Sequence, residues 1–322
     1  MPAPVDLGIL LPTSRTQWTA SGSASVLRFA SRAEELGYSS VWVNDSLLTP
    51  RLEALAVLAA VAATSQRLLL GTATLLPVLR RPVLAAQTLA TIDHLSNGRL
   101  VLAVGAGFPG RFGEPVHHWS QVPWPKRFAR LDETVDLWRR LWRQPDDQGS
   151  FHRTTMDFDT LPPALPPCRA GGPPVWLGGA SDTALARAGR SYDGWLPYTT
   201  SAEGYGRGLA AVRAAAAAAG RPPSAVTAGF FASVIITDTL EQGRARMAEY
   251  AASVYGLTLE QLATIQAIAY GPAEVVGDKL SAYVRAGARH VVVRVAASDV
   301  VEQSAQMEAL TSLRPSLERA AE

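Results

Sequence analysis

RLLLGTATLLPVLRRPVLAAQTLATIDHLSNGRLVLAVGAG, residues 67–107, decides the fold. Two apolar runs of strand length, 67–76 and 99–107, flank the stretch 81–98, in which apolar residues recur at helical spacing between Pro82 and Gly98. Glycine suits the position just past a helix end, so the spacing predicts strand, helix, strand: one βαβ unit. Gly71, Thr72 and Thr74 interrupt the first run at its centre, where a buried strand has no need of a glycine or of hydroxyls.

The same alternation continues outward in both directions. Residues 5–12 precede a helical 23–37, and 38–45 precede 53–65. The run 99–107 leads, after a long loop, to 128–142; 173–181 leads to 182–191, and 194–200 to an alanine-rich helix ending at Gly220. Residues 227–237 precede 240–256, and 290–296 precede 299–313. Eight strands, each followed by a helix, predict a single (β/α)8 TIM barrel over residues 1–322, with an open doubly wound sheet as the alternative. Three insertions stand out by composition: 108–127 after strand 4, 149–172 after helix 4, and 257–272 before strand 8, the last expected to be helical.

Composition narrows the function classes. The chain has 322 residues, 48% of them hydrophobic, and 30 basic against 28 acidic residues. A large core is expected, and a net charge of +2 offers no field for nucleic acid or a membrane surface. Cys168, the one cysteine, has no His or Cys at metal-ligand spacing, so neither a disulfide nor a metal site is expected. The N-terminal MPAPVDLGILLP lacks the basic start and long apolar core of a signal peptide, and a cytoplasmic location is the expectation.

A barrel places its chemistry at the C-terminal ends of its strands, and there the apolar pattern breaks. Those ends carry Asn44-Asp45-Ser46, Thr72-Ala73-Thr74, Gly105-Ala106-Gly107, Gly178-Gly179-Ala180-Ser181 and Tyr198. Bare glycines admit a flat ligand to the backbone, while hydroxyls and amides orient it. Gly178 to Ser181 run straight into a helix, whose N-terminal N–H groups suit a phosphate; Ser181 serves equally as an N-cap. Trp18, Phe108, Trp119, Trp124 and Trp195 are expected to line an apolar mouth, and His117 and His118 lie in the same insertion as three of them. Gly105 to Gly110 imitates the dinucleotide fingerprint, but Pro109, Gly110, Gly113 and Pro115 break the helix that an NAD(P) dehydrogenase needs there.

Residues 67–107, together with PPVWLGGASDTALARAGRSYDGW (173–195) and YGPAEVVGDKLSAYVRAGARHVVVRV (270–295), resemble the bacterial luciferase-like monooxygenases. The resemblance implies a usually dimeric (β/α)8 barrel that holds reduced F420 or FMN at its C-terminal mouth, with a separate reductase supplying the reduced cofactor. It also implies a non-prolyl cis peptide in strand 3 against the cofactor ring, here Ala73–Thr74, which answers the interruption in the opening run. The form around Gly178–Ser181 and 192–195 leans toward the deazaflavin members, and FMNH2 with O2 is the alternative. The family's sugar-phosphate dehydrogenases carry a catalytic His and a Glu where this chain has Ser46 and Phe108, so alcohol oxidation is disfavoured and a non-catalytic flavin-binding relative becomes a further alternative. The catalytic candidates are Ser46, His117 and His118. Asn44, Asp45, Thr72, Ala73, Thr74, Gly105, Ala106, Gly107, Gly178, Gly179, Ala180, Ser181 and Tyr198 are the cofactor candidates. Trp18, Phe108, Trp119 and Trp124 are expected to meet a hydrophobic or aromatic small molecule.

Overall fold

The computed structural model describes residues 5–144 and 146–322; Met1–Pro4, where the signal-peptide expectation begins, and Pro145 lie outside the described residues. Among the described residues the strands are β1 Asp6–Leu10, β2 Ser40–Val43, β3 Leu69–Leu75, β4 Leu100–Val104, β5 Phe151–His152, β6 Asp157–Phe158, β7 Val175–Leu177, β8 Gly194–Trp195, β9 Thr227–Ile236, β10 Ala267–Gly271 and β11 His290–Val295. Apart from the antiparallel β5–β6 hairpin, the strands belong to one sheet whose recorded pairings are parallel. Of the nine described strands in that sheet, eight, each followed by a helix, make the (β/α)8 barrel that the alternation predicts, and β10 is an additional strand paired with β9.

The chain divides into two compact units, residues 43–175 and residues 1–42 with 176–322. In the second of these, β1 lies between β11 and β2, β9 pairs with β11 along its centre, and β8 meets its first residues. Trp42, Trp176 and His290 form a buried ring cluster with centroids 5.3–5.4 Å apart. Ser40 Oγ accepts from the Trp42 indole at 2.7 Å and bonds His290 Nε2 at 2.8 Å, while His290 Nδ1 lies 3.6 Å from Asp6. A side chain at Gly8 would stand 2.2 Å from that Ser40 oxygen, so glycine makes the room.

The unit 43–175 pairs β3 with β4 and packs the helices Ala54–Thr64, Pro82–Leu95 and Arg127–Arg143 around them. Trp138 and Trp142 are buried, and their indoles donate to the Pro82 and Ala86 carbonyls at 2.9 and 3.2 Å, so both are core residues. Gly98 ends the second helix with φ +77°, the left-handed geometry expected of its C-terminal glycine. The outward faces of the first two helices are nearly free of charge: Ala56, Ala63, Thr64, Leu84, Gln87, Thr88, Thr91, His94 and Leu95 are exposed, and the only acidic residue in either helix, Asp93, is buried against the Arg169 N–H.

One expectation is corrected. Residues 257–272 are not a helical insertion: a short helix, Leu259–Ala263, leads into β10, which pairs with the C-terminal half of β9. Ala267, Ala269 and Gly271 are buried and alternate with half-buried Ile268 and Tyr270, a period of two rather than 3.6. The insertion 149–172 likewise contains the β5–β6 hairpin, and 108–127 contains a short helix, Glu114–Trp119. Among the described residues no helix is long and apolar enough to cross a membrane.

Candidate functional site

In the unit 43–175, the end of β3 carries the most distinctive backbone. The Ala73–Thr74 peptide is cis, as the resemblance implies, and the register with β4 slips there: Ala73 faces Ala103, but Leu75 faces Val104. Thr74 is the extra residue of a bulge. Gly105 lies opposite, where an added Cβ would come within 3.0 Å of Thr74 Oγ1, so glycine there makes room for the Thr74 side chain. Thr72 is fully buried and donates its hydroxyl to the Ala103 carbonyl at 2.8 Å, which ties the bulge to β4.

Asp45 secures the other side of the same strand end. It accepts from the Leu76 N–H at 3.0 Å and takes Arg80 with both oxygens, at 2.5 and 3.0 Å. Arg80 also donates to Glu53 at 2.6 Å. Burial works against the Arg80 charge, but the hydrogen bonds and charges of Asp45 and then Glu53 more than offset it and hold the guanidinium pKa up. Asp45 is thereby a fastener for the segment after the bulge. Ser46 sits in a turn in which its oxygen accepts the Leu48 N–H at 3.2 Å, and half-buried Asn44 precedes the pair.

The insertion after β4 folds over its own strand end. His117 is buried, donates from Nε2 to the Ala106 carbonyl at 3.1 Å, and meets Trp124 edge-on at 4.8 Å. Burial lowers its pKa first of all; the Ala106 and Pro123 carbonyls raise it and the charges of Arg127 and Arg130 lower it further, so the ring stays neutral at neutral pH. Gly107 has φ +92°, and a Cβ there would lie 3.2 Å from that imidazole. His117 is therefore a buried tie for the insertion. His118, Trp119 and Phe108 are exposed, the last two at 56% and 42%, and Trp124 is half-buried beneath the Arg127 guanidinium at 4.0 Å. No α-helix begins inside Gly105–Gly110, where only the three-residue 3-10 turn Gly110–Phe112 starts, so the context a dinucleotide fingerprint requires is missing.

In the other unit, Gly178 and Gly179 follow β7, and Gly179 has φ +95°. Ala180 and Ser181 are exposed at the start of the ten-residue helix Asp182–Ser191. Ser181 is its N-cap, accepting the Ala184 N–H at 3.3 Å. Trp195 does not join a mouth: it is fully buried, donates to the Gly179 carbonyl at 2.8 Å and stacks on Tyr205 at 5.2 Å. It thus pins the glycine turn from beneath. Trp18 is half-buried and donates to the Thr13 carbonyl at 3.0 Å. Tyr198 packs against Phe231 at 5.3 Å, and burial pushes its phenol well above the usual range.

Sequence reasoning passed over Asp45's partner Arg80 and, in this second unit, Arg294. The signal for Arg294 was a lone cation inside the apolar run HVVVRV.

The luciferase-like monooxygenase profile matches residues 5–290. The F420-dependent glucose-6-phosphate dehydrogenase of Amycolatopsis mediterranei (strain U-32) is 36% identical over 184 residues, 54% of this chain and 53% of the relative. The FMNH(2)-dependent dimethylsulfone monooxygenase of Pseudomonas fluorescens (strain Pf0-1) is 35% identical over 192 residues, 59% of this chain and 50% of the relative. The chain thus spans about half the length of these curated relatives. A solved F420-dependent secondary alcohol dehydrogenase, in complex with an F420-acetone adduct, superposes over 98% of this chain and 99% of its own with a TM-score of 0.79 at 19% identity, a likeness of fold. With the profile covering most of its length, the chain belongs to the luciferase-like monooxygenase family.

Proposed function

We propose that this protein is an oxidoreductase that uses reduced F420 on a hydrophobic or aromatic small molecule, residues 1–322 acting as one domain. The observation that carries the reading is the bulge at Ala73–Thr74 opposite Gly105, where small side chains leave backbone for a planar ring system to meet. Bound there, the cofactor supplies a hydride, which the protein's own residues do not. Asp45 and Arg80 hold the bulge in place, and Thr72 fixes its register to β4. The exposed aromatic residues Phe108 and Trp119 supply apolar surface for a substrate and for shedding water. Ser181 caps its helix at the Ala184 N–H, and the remaining N–H groups of that first turn would receive the cofactor phosphate.

Neither Ser46 nor His117 is placed to act as a base, which favours reduction over alcohol oxidation. Ser46 is a turn residue, His117 is buried on a carbonyl and His118 is exposed. An FMNH2-dependent relative of similar identity supports FMNH2 with O2 as the second reading. The reading includes a cytoplasmic location, a separate reductase to recycle the cofactor, and a homodimer formed through the uncharged faces of the helices Ala54–Thr64 and Pro82–Leu95.

Fluorescence titration of the purified protein with F420 and FMN, each oxidised and reduced, tests this. Reduced F420 is expected to bind the more tightly of the two cofactors. Ser181→Asp preserves the helix cap, so it isolates charge, and is expected to weaken F420 binding about tenfold by like-charge repulsion. Tighter binding of FMNH2, or no binding of either cofactor, overturns the F420 assignment; an unchanged Ser181→Asp affinity moves the phosphate elsewhere.

A further inference from the structure

Arg294 lies near the C-terminal end of β11, whose other residues are all buried. His290, Val292 and Arg294 share one face of the strand, and His290 on that face packs into the Trp42–Trp176 cluster. Arg294 is in register with Ser233 of β9. Its guanidinium donates to the Tyr255 hydroxyl and lies 5.7 Å from the centre of that ring. Gln266 donates to Ser233 Oγ at 3.2 Å and reaches the Tyr255 hydroxyl at 3.5 Å; its own carbonyl oxygen is buried without a partner.

What this cluster lacks is a negative charge. Among the described residues no carboxylate pairs with Arg294, whose electrostatic neighbours are Tyr250, Tyr255 and Tyr198. Burial pushes the Tyr198 and Tyr250 phenols far above their usual range, so they are neutral at neutral pH. A guanidinium has five N–H donors, and the recorded protein bond uses one nitrogen. Arg294 itself is half-buried, and with no carboxylate beside it and one recorded bond its guanidinium has donors left for an anionic ligand.

We propose that Arg294, flanked by Ser233, Tyr198 and Tyr255, is the receptor for a carboxylate on the substrate. The planar guanidinium matches a carboxylate through two parallel hydrogen bonds, and the phenol hydroxyls can donate to its remaining lone pairs. One positive charge balances a monoanion; a phosphate dianion would leave net negative charge buried. The substrate is thus an apolar or aromatic acid. This rests on the oxidoreductase reading for the identity of the occupant, but the probes below bind without cofactor, so the two readings fail separately.

Calorimetric titration of the full chain with benzoate, benzamide and inorganic phosphate tests the receptor. Benzoate is expected to bind at least tenfold more tightly than either of the others. Arg294→Gln is expected to lose benzoate affinity tenfold or more, to keep F420 affinity within twofold, and to melt no lower than the wild type, since it removes an uncompensated charge. Arg294→Lys, which keeps the charge but not the fork, is expected to fall between. The proposal is overturned if benzoate does not bind the wild type, if benzamide or phosphate binds as tightly, if both variants retain wild-type benzoate affinity, or if Arg294→Gln melts several degrees lower, as a structural arginine would.

Discussion

Ser46 illustrates how little a residue's position says until its partner is known. The resemblance to the family's sugar-phosphate dehydrogenases implies an imidazole at this point; here a hydroxyl accepts the Leu48 N–H and shapes a turn. Removing one such neutral hydrogen bond costs about 0.5–1.5 kcal/mol. Ser46→Ala is therefore expected to lower kcat/KM by no more than about tenfold, and neither protein should show a rate limb near pH 6.5 from this position. A fall of several orders of magnitude in a pH-resolved assay would mean that the serine does chemistry of its own. The same lesson applies to Asp45, Thr72 and His117, three polar residues with a ligand's profile in the sequence. Asp45 accepts from Arg80 and Leu76, Thr72 donates to Ala103 and His117 donates to Ala106, partners 31 or more residues away for the first two and across an irregular insertion for the third. Nothing in local spacing encodes those contacts.

At the scale of elements, the strand-helix alternation was readable because each strand is a nearly continuous apolar run and each helix shows its own period. β10 was not, since AIAYG follows a helical turn without a break and a run that short carries no decisive period. The bulge at Ala73–Thr74 was legible only through resemblance, although the glycine and hydroxyls marked the place. Arg294 was visible as a charge in a strand, yet its significance depended on Tyr255 and Gln266 arriving from the segment whose strand went unread. Packing between β1 and β11 yields a prediction about acid. The His290 imidazole, 3.6 Å away, lowers the Asp6 pKa most, burial opposes this, and Ser39 lowers it further. A carboxylate whose folded pKa lies below its unfolded value stabilises the fold above the unfolded pKa, and that contribution disappears as pH falls through the lowered folded value. Asp6→Asn is therefore expected to lower the melting temperature at pH 7 and to have no effect near pH 2. Equal losses at both pH values would show that the carboxylate's charge is not involved.

At the scale of the molecule, the helices Ala54–Thr64 and Pro82–Leu95 show a surface with almost no ionisable groups, on a chain in which 18% of residues are charged. Leu84, 62% exposed, and Leu95, 53% exposed, would be poor choices for a face meant to stay in water. Sedimentation at micromolar concentration is expected to give a species of twice the 34.3 kDa chain mass, and Leu84→Glu with Leu95→Glu to give the single chain. A wild-type monomer, or a dimer indifferent to the two glutamates, would place association elsewhere. The bare helix faces also subject the fold to mass action. If only the paired chain is fully stable, each tenfold dilution removes about 1.4 kcal/mol per dimer from its free energy of unfolding, and the melting temperature becomes a function of how much protein is present.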